Sequence, residues 1–192
     1  SVARYGVKFG GSANSGATVQ RLYNAFGLTA NVGTDTETAV NDFDHIYPWC
    51  ARRRCCGFFD ENGQFVVNAY EGEPGYATDG TNGEVWVETP LFFYKHIYDD
   101  TSDPIIEEIA ISAAPADGFS PSPMHTSADG SLRQKAYTAA YPMGLENGLP
   151  TSRSGVYTPP LSLNAAMEAA RKRGANYTTT TAAEQYTKCL LM

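Results

Sequence analysis

The sequence predicts an α+β fold: a twisted, mainly antiparallel sheet with two or three flanking helices and long ordered loops. Three observations lead there. Apolar runs of strand length recur along the 192 residues, punctuated by Gly, Pro, Asn and Asp. Helical periodicity with caps is confined to one stretch near the start and two near the end. Hydrophobic residues make up 42% and charged residues only 18%, so Thr, Ser, Asn and Gly must cover much of the surface, as in loop-rich β proteins. The length suits one domain over residues 1–192 with a real core.

Residues 3–9 alternate well enough for a strand, and residues 10–16 form a Gly/Ser/Asn turn. Val19, Leu22, Tyr23 and Phe26 recur at the spacing of one helical face, with Ser15 or Thr18 as cap and Gly27 as stop, which predicts a helix packed on the core. Residues 28–44 are polar and end in Asn41-Asp42-Phe43-Asp44-His45-Ile46-Tyr47-Pro48-Trp49, an ordered loop pinned by aromatics. Residues 56–60 and 64–70 flank Glu61-Asn62-Gly63, and Asn-Gly between apolar runs is the strongest short-range hairpin signal. Strands are predicted at residues 84–89, 91–97, 105–112 and 133–141, with Pro90 interrupting the first two. The segments 113–131 and 142–160 read as loops, and long loops in a small domain tend to be functional. Ser162 caps a helix over residues 163–173 stopped by Gly174; Thr181-Ala182-Ala183-Glu184 is a capping box that opens a last helix. That helix finishes on the apolar run Cys189-Leu190-Leu191-Met192, which predicts that the natural chain continues or that this end docks on a neighbour.

A formal charge of -7 argues against nucleic-acid binding, since phosphate contacts need a basic surface. The basic runs are Arg52-Arg53-Arg54 and Arg171-Lys172-Arg173; either would suit an acidic partner, but the second closes a predicted helix where cations meet the dipole, and that structural reading is the favoured one. No apolar stretch approaches a membrane span of roughly 18 to 20 residues and no signal-peptide pattern opens the chain, so no membrane insertion is expected. Cys50, Cys55, Cys56 and Cys189 form no CxxC pair and are expected as reduced thiols; adjacent cysteines chelate one zinc poorly.

Several phrases carry a family resemblance. They are Gly16-Ala17-Thr18-Val19-Gln20-Arg21-Leu22-Tyr23-Asn24-Ala25, the Asn41 to Trp49 phrase above, and Asp79-Gly80-Thr81-Asn82-Gly83-Glu84-Val85-Trp86-Val87-Glu88-Thr89-Pro90-Leu91-Phe92-Phe93-Tyr94-Lys95. Ser152-Arg153-Ser154-Gly155 and Ala169-Ala170-Arg171-Lys172-Arg173-Gly174-Ala175-Asn176-Tyr177 follow in order. Together they resemble bacteriophage tail and fibre proteins whose distal domain is related to the C-type-lectin and formylglycine-generating-enzyme folds. The resemblance implies a lectin-like fold and a virion protein assembled in the bacterial cytoplasm. It implies as partners other virion proteins, further copies of itself in a homo-oligomer such as a trimer, and a host surface glycan or protein. Two departures stand out. Family members continue past the last helix into further strands, and the enzymes carry a C-terminal redox cysteine pair where this chain has only Cys189. Catalysis is therefore not carried over, and no enzyme activity is expected.

The residues themselves nominate little chemistry. There is no GxSxG, GxGxxG or GKS/GKT motif, and His45, His96 and His125 stand in unlike contexts. His125, in the Pro-rich loop, is expected to be the most exposed. Calcium is the ion that an oxygen-rich loop would take, and Asp42 and Asp44 (with Asn41) or Asp79 (with Asn82 and Glu84) would supply its ligands; turn closure by the same side chains is the favoured reading. Tyr76, Tyr137 and Tyr157, in or beside loops, join His125 as candidate ligand or partner contacts, because Tyr makes rigid amphipathic contact surface. A receptor-binding role is expected first, a purely structural decoration, baseplate or tail subunit second, and a glycan-degrading tail enzyme third.

Overall fold

Turn chemistry and strand pairing sort the chain into two compact units in a computed structural model that describes residues 2–10, 19–102, 105–175 and 177–192. The first unit gathers residues 1–51, 90–134 and 186–192; the second gathers residues 52–89 and 135–185. The class is α+β, with mostly antiparallel sheets and two α-helices among the described residues.

In the first unit, β1 (Arg4–Gly10), β2 (Gln20–Tyr23), β8 (Phe93–Asp99), β9 (Ile106–Ser112) and the short β10 (Ser120–Pro121) form a five-stranded sheet in the order β10-β8-β9-β1-β2. The strands at 3–9, 91–97 and 105–112 thus appear where the alternation placed them. The helix expected through Val19, Leu22, Tyr23 and Phe26 does not form. Gln20–Tyr23 is a strand paired with β1, Lys8 opposite Gln20 and Tyr5 opposite Tyr23, and it ends at Tyr23 with φ 55°. A helix of two turns is marginal alone, and the free edge of β1 offers a ladder that outweighs it. The supposed core face is solvent-exposed at Val19, Tyr23 and Phe26. The turn over 10–16 and the caps Ser15 and Thr18 lie, beyond Gly10, outside the described residues.

Residues 28–44 hold only the two-residue ladder of β3 (Ala30–Asn31) with β4 (Val40–Asn41), then a 3-10 turn at Asp42–His45. Phe43, Trp49 and Tyr5 meet edge-on at 4.9–6.4 Å, the aromatic pinning expected there. The core is Phe92, Ile111, Leu190 and Leu191, flanked by Trp49, Tyr94, Ile109 and Tyr186. So the C-terminal apolar run, expected to dock on a neighbour, instead fills this unit's own core, and Trp49 Nε1 donates to the Leu191 carbonyl at 3.1 Å. Cys189 and Met192, at the two ends of the run, are exposed.

The second unit is built on β5 (Arg53–Phe59), β6 (Phe65–Tyr70), β7 (Glu84–Pro90) and β11 (Lys135–Ala139), ordered β11-β7-β5-β6. The expected hairpin joins β5 to β6: Asp60 Oδ1 accepts from the Asn62 and Gln64 amides, and Gly63 takes φ 71°. Phe59, Phe65, Trp86, Tyr137 and Tyr177 form an aromatic core with ring centroids 4.4–6.3 Å apart. The segment 142–160, expected as loop, contains a second hairpin, β12 (Gly144–Glu146) with β13 (Leu149–Thr151), turning on Asn147 (φ 51°) and Gly148 (φ 77°). Two successive positive φ values are what a two-residue hairpin turn requires. Helix α1 (Leu163–Arg171) is capped by Ser162 Oγ, which accepts from the Ala165 amide at 3.3 Å. Thr181 Oγ1 accepts from the Glu184 amide at 3.1 Å and opens α2 (Ala182–Leu190).

Candidate functional site

Two hollows in the second unit lie at opposite ends of β5, and the residues that form them are set by the strand registers. The larger, about 500 Å³, opens beside Phe58, Gly83 and Thr151. Gly83 enters β7 at φ 97° so close to β5 that a Cβ would lie 2.0 Å from the Gly57 carbonyl oxygen. This approach leaves the floor of the hollow as bare backbone. Two arginines brace its walls. Arg153 forks the Glu146 carboxylate of β12 (Nη2 to Oε1 2.5 Å, Nε to Oε2 3.2 Å) and donates through Nη1 to the Asp79 carbonyl at 2.8 Å. Arg173, just past α1, pairs with Glu84 and donates through Nε to the Pro150 carbonyl at 2.8 Å. Burial pushes the Glu84 carboxyl up despite Arg173, whereas the hydrogen bond from Arg153 holds Glu146 down. Phe58, half exposed, leaves an open aromatic ring at the rim.

The smaller hollow, about 420 Å³, is bordered by Arg52, Arg53, Arg54, Glu71 and Val87. On the face of the sheet that carries Tyr70, Glu88 sits 4% exposed and accepts from Tyr70 Oη (3.0 Å), Tyr137 Oη (2.9 Å) and Lys135 Nζ (3.0 Å). Burial, then the bond to Glu88, raises the Tyr137 phenol, and burial pushes the neighbouring Cys55 thiol up to about 12. These groups are held in their neutral forms.

The expected site residues are dispersed. Tyr137 belongs to the Glu88 network rather than to a loop surface, and the Tyr76 oxygen is buried without a hydrogen-bond partner among the described residues. Tyr157 is 78% exposed and open to contact. His125, expected to be exposed, is instead fully buried in the first unit: Pro123 starts a 3-10 turn that folds the loop inward, and Ser122 Oγ lies 2.6 Å from His125 Nδ1. This Ser–His pair is sealed from solvent and has no access to a substrate. His96 lies between Tyr186 Oη (2.5 Å) and Glu107 Oε1 (2.8 Å) on the sheet of the same unit.

Asp42 Oδ2 accepts from the Thr29 amide at 2.6 Å, Asp44 Oδ1 from Asn41 Nδ2 at 2.7 Å, and Asp79 Oδ1 from both the amide and hydroxyl of Thr81. The Asp44 and Asp79 bonds close local turns, whereas Asp42 ties the chain back to Thr29. Among the described residues no three His, Cys, Asp or Glu side chains gather to hold a metal ion. All four cysteines are free thiols, and no described helix is long and apolar enough to cross a membrane. Compared with known proteins, the chain matches no family model, no curated protein and no solved structure. The larger hollow's residues Phe58, Glu146, Arg153 and Arg173 were not nominated as site residues from the sequence, although Arg153 and Arg173 stand in the phrases quoted above. The signal that places Glu146 was present, because Asn147-Gly148 is the same hairpin dipeptide as Asn62-Gly63.

Proposed function

We propose that the chain is a receptor-binding module of a bacteriophage tail fibre, C-type-lectin-like in fold, that contacts a host surface glycan. The larger hollow carries the reading. Sugar recognition needs planar donors and acceptors fixed in place for vicinal hydroxyls and an aromatic face for the ring's C–H side. Arg153 with Glu146, Thr151 and the half-exposed Phe58 supply that set around one open, polar cavity. Because the guanidinium–carboxylate pairs are closed before a ligand arrives, little side-chain freedom remains to be lost on binding. The test is adsorption of the fluorescently tagged chain to host cells and to extracted envelope polysaccharide. Saturable binding that falls roughly tenfold in Phe58→Ala, with an unchanged melting temperature, is expected, since one aromatic contact is worth about 1–2 kcal/mol. Binding indifferent to Phe58 removes the hollow from the reading, and turnover of labelled polysaccharide would replace it with the tail-enzyme alternative.

The structural-subunit reading has its own observation. β2 is an edge strand flanked by exposed Val19, Tyr23 and Phe26, and an uncovered apolar edge invites pairing with a second chain. Concentration-dependent oligomers abolished by Phe26→Lys, without any adsorption to cells, would favour it.

A further inference from the structure

We infer that the arginine hollow at the start of β5 is an anion site, and that its occupant is the carboxylate of an acidic sugar. The identity of the polymer rests on the receptor-binding reading; the anion site does not.

Three successive arginines at the entry to an inner strand, Arg53 and Arg54 within it, need a reason. β5 lies between β7 and β6, where β-branched and aromatic residues pack best and charged side chains are disfavoured. In this unit the other two arginines of the hollows are consumed as braces, Arg153 on Glu146 and Arg173 on Glu84. The triplet is not. Arg52, Arg53 and Arg54 are all exposed. Among the described residues no carboxylate lies within 4.0 Å of Arg52 or Arg54, and Arg53 meets Glu73 only at that limit. Yet two of the three guanidiniums are already held in place. Arg53 lies 3.6 Å over the Tyr70 ring on the Glu88 face of the sheet, and Arg54, on the opposite face with Glu71 and Val87, lies 5.9 Å from the Tyr141 ring. A guanidinium resting on a ring uses its face and leaves its in-plane N–H groups free, the fork that matches a carboxylate.

The rest of the hollow selects among anions. Arg54, Glu71 and Val87 lie in one row across β6, β5 and β7: Arg54 is opposite Val87, and the Glu71 amide donates to the Arg54 carbonyl at 3.0 Å. Glu71 accepts from sugar hydroxyls, which a run of Asp or Glu side chains lacks, so a hydroxyl-bearing acidic ring fits where an acidic peptide would not. A volume near 420 Å³ holds one or two sugar rings. The net charge of -7 opposes long polyanions such as nucleic acid, so the attraction is local.

The test titrates the intact chain with oligogalacturonate, a neutral galactan of equal length, and hexaglutamate, by calorimetry and amide chemical-shift mapping at low and high salt. Oligogalacturonate should bind at the β5 start and weaken as salt rises. The double variant Arg52→Gln/Arg54→Gln should lose roughly tenfold or more in affinity, because a charge-assisted contact is worth about 1.5–3 kcal/mol. Arg171→Gln/Lys172→Gln, which removes the same charge elsewhere on this unit, should change nothing, and both variants should melt like the parent. Equal losses in the two variants reduce the effect to bulk charge and overturn the site; stronger binding of hexaglutamate at the same amides replaces the sugar with an acidic peptide and overturns it too. If cells are bound but oligogalacturonate is not, this inference fails while the receptor reading stands. If oligogalacturonate binds at the arginines but cells are not adsorbed, the reverse holds.

Discussion

Glu88 is the second unit's most exacting polar position, and a mutant cycle on it with Tyr137 tests how the unit is held. The carboxylate is 4% exposed and takes three donors. Lys135, half exposed, turns to water if its partner is removed, so its ion pair contributes little. The two phenols are different, because among the described residues the hydrogen bonds that Tyr137 and Tyr70 donate go to the buried carboxylate. Tyr137→Phe removes one hydrogen bond to a charged acceptor, at about 1.5 kcal/mol. Glu88→Ala removes the acceptor from both phenols and leaves a void, at about 3–4 kcal/mol. Once Glu88 is alanine the Tyr137 hydroxyl has nothing to lose, so Tyr137→Phe should then cost close to zero, a coupling of about 1.5 kcal/mol. Urea unfolding followed by Trp86 fluorescence in a Trp49→Phe background reads this unit alone, since Trp49 belongs to the other. At roughly 2–4 °C per kcal/mol for a chain of this size, Glu88→Ala should also melt about 6–16 °C lower. A cost for Tyr137→Phe that is the same in both backgrounds, within about 0.5 kcal/mol, would refute the account and move the stabilisation to the aromatic packing.

Two further outcomes follow from geometry and charge. Gly83→Ala should cost about 3 kcal/mol or more, because it combines left-handed backbone strain with a Cβ driven into the Gly57 carbonyl, whereas Gly148→Ala, with open space around its Cβ, should cost only the strain; equal losses in urea would show that the close β5–β7 approach is not what fixes Gly83. The hydrogen bond from Ser102, then those from Thr101, hold the Asp99 carboxyl at about 2, below its ordinary 3.8. Since the folded value is the lower one, the contribution is complete above the ordinary value and disappears as pH falls from about 4 to about 2. The Thr101 amide shift should therefore titrate with a midpoint near 2, and a midpoint near 4 would remove the bonds from the turn.

What the sequence discloses depends on whether the deciding partner is local. The β5–β6 hairpin, the α1 cap at Ser162 and the Thr181 cap are closed by atoms within a few residues, and each appears where it was expected. The stretch from Val19 to Phe26 has helical spacing, but its fate is decided by β1, eleven or more residues earlier, so periodicity misleads there. His125 is misjudged for the same reason: a Pro-rich loop reads as exposed until the Ser122 amide is found donating to the Phe92 carbonyl, thirty residues back, which draws the loop into the core. The hollows are less legible still. Glu84 and Arg173 are 89 residues apart and Asp79 and Arg153 are 74 apart, and nothing short-range announces either pairing.

The arginines show why charge counts alone misdirect a functional reading. The sequence presents two similar triplets in an acidic chain, and composition treats them alike. Folded, Arg173 spends its donors on Glu84 and on the Pro150 carbonyl, so this one arginine of the second triplet braces the end of α1 against the sheet. In the first triplet Arg53 and Arg54 rest their guanidinium faces on Tyr70 and Tyr141 and keep their edges. A stacked arginine without a carboxylate has been ordered without being neutralised, and the free energy of meeting an anion there is undiminished by rotamer entropy. Anion binding at the start of β5 therefore follows from which donors remain unspent after folding, and that quantity belongs to the strand register of β5, β6 and β7 rather than to the net charge.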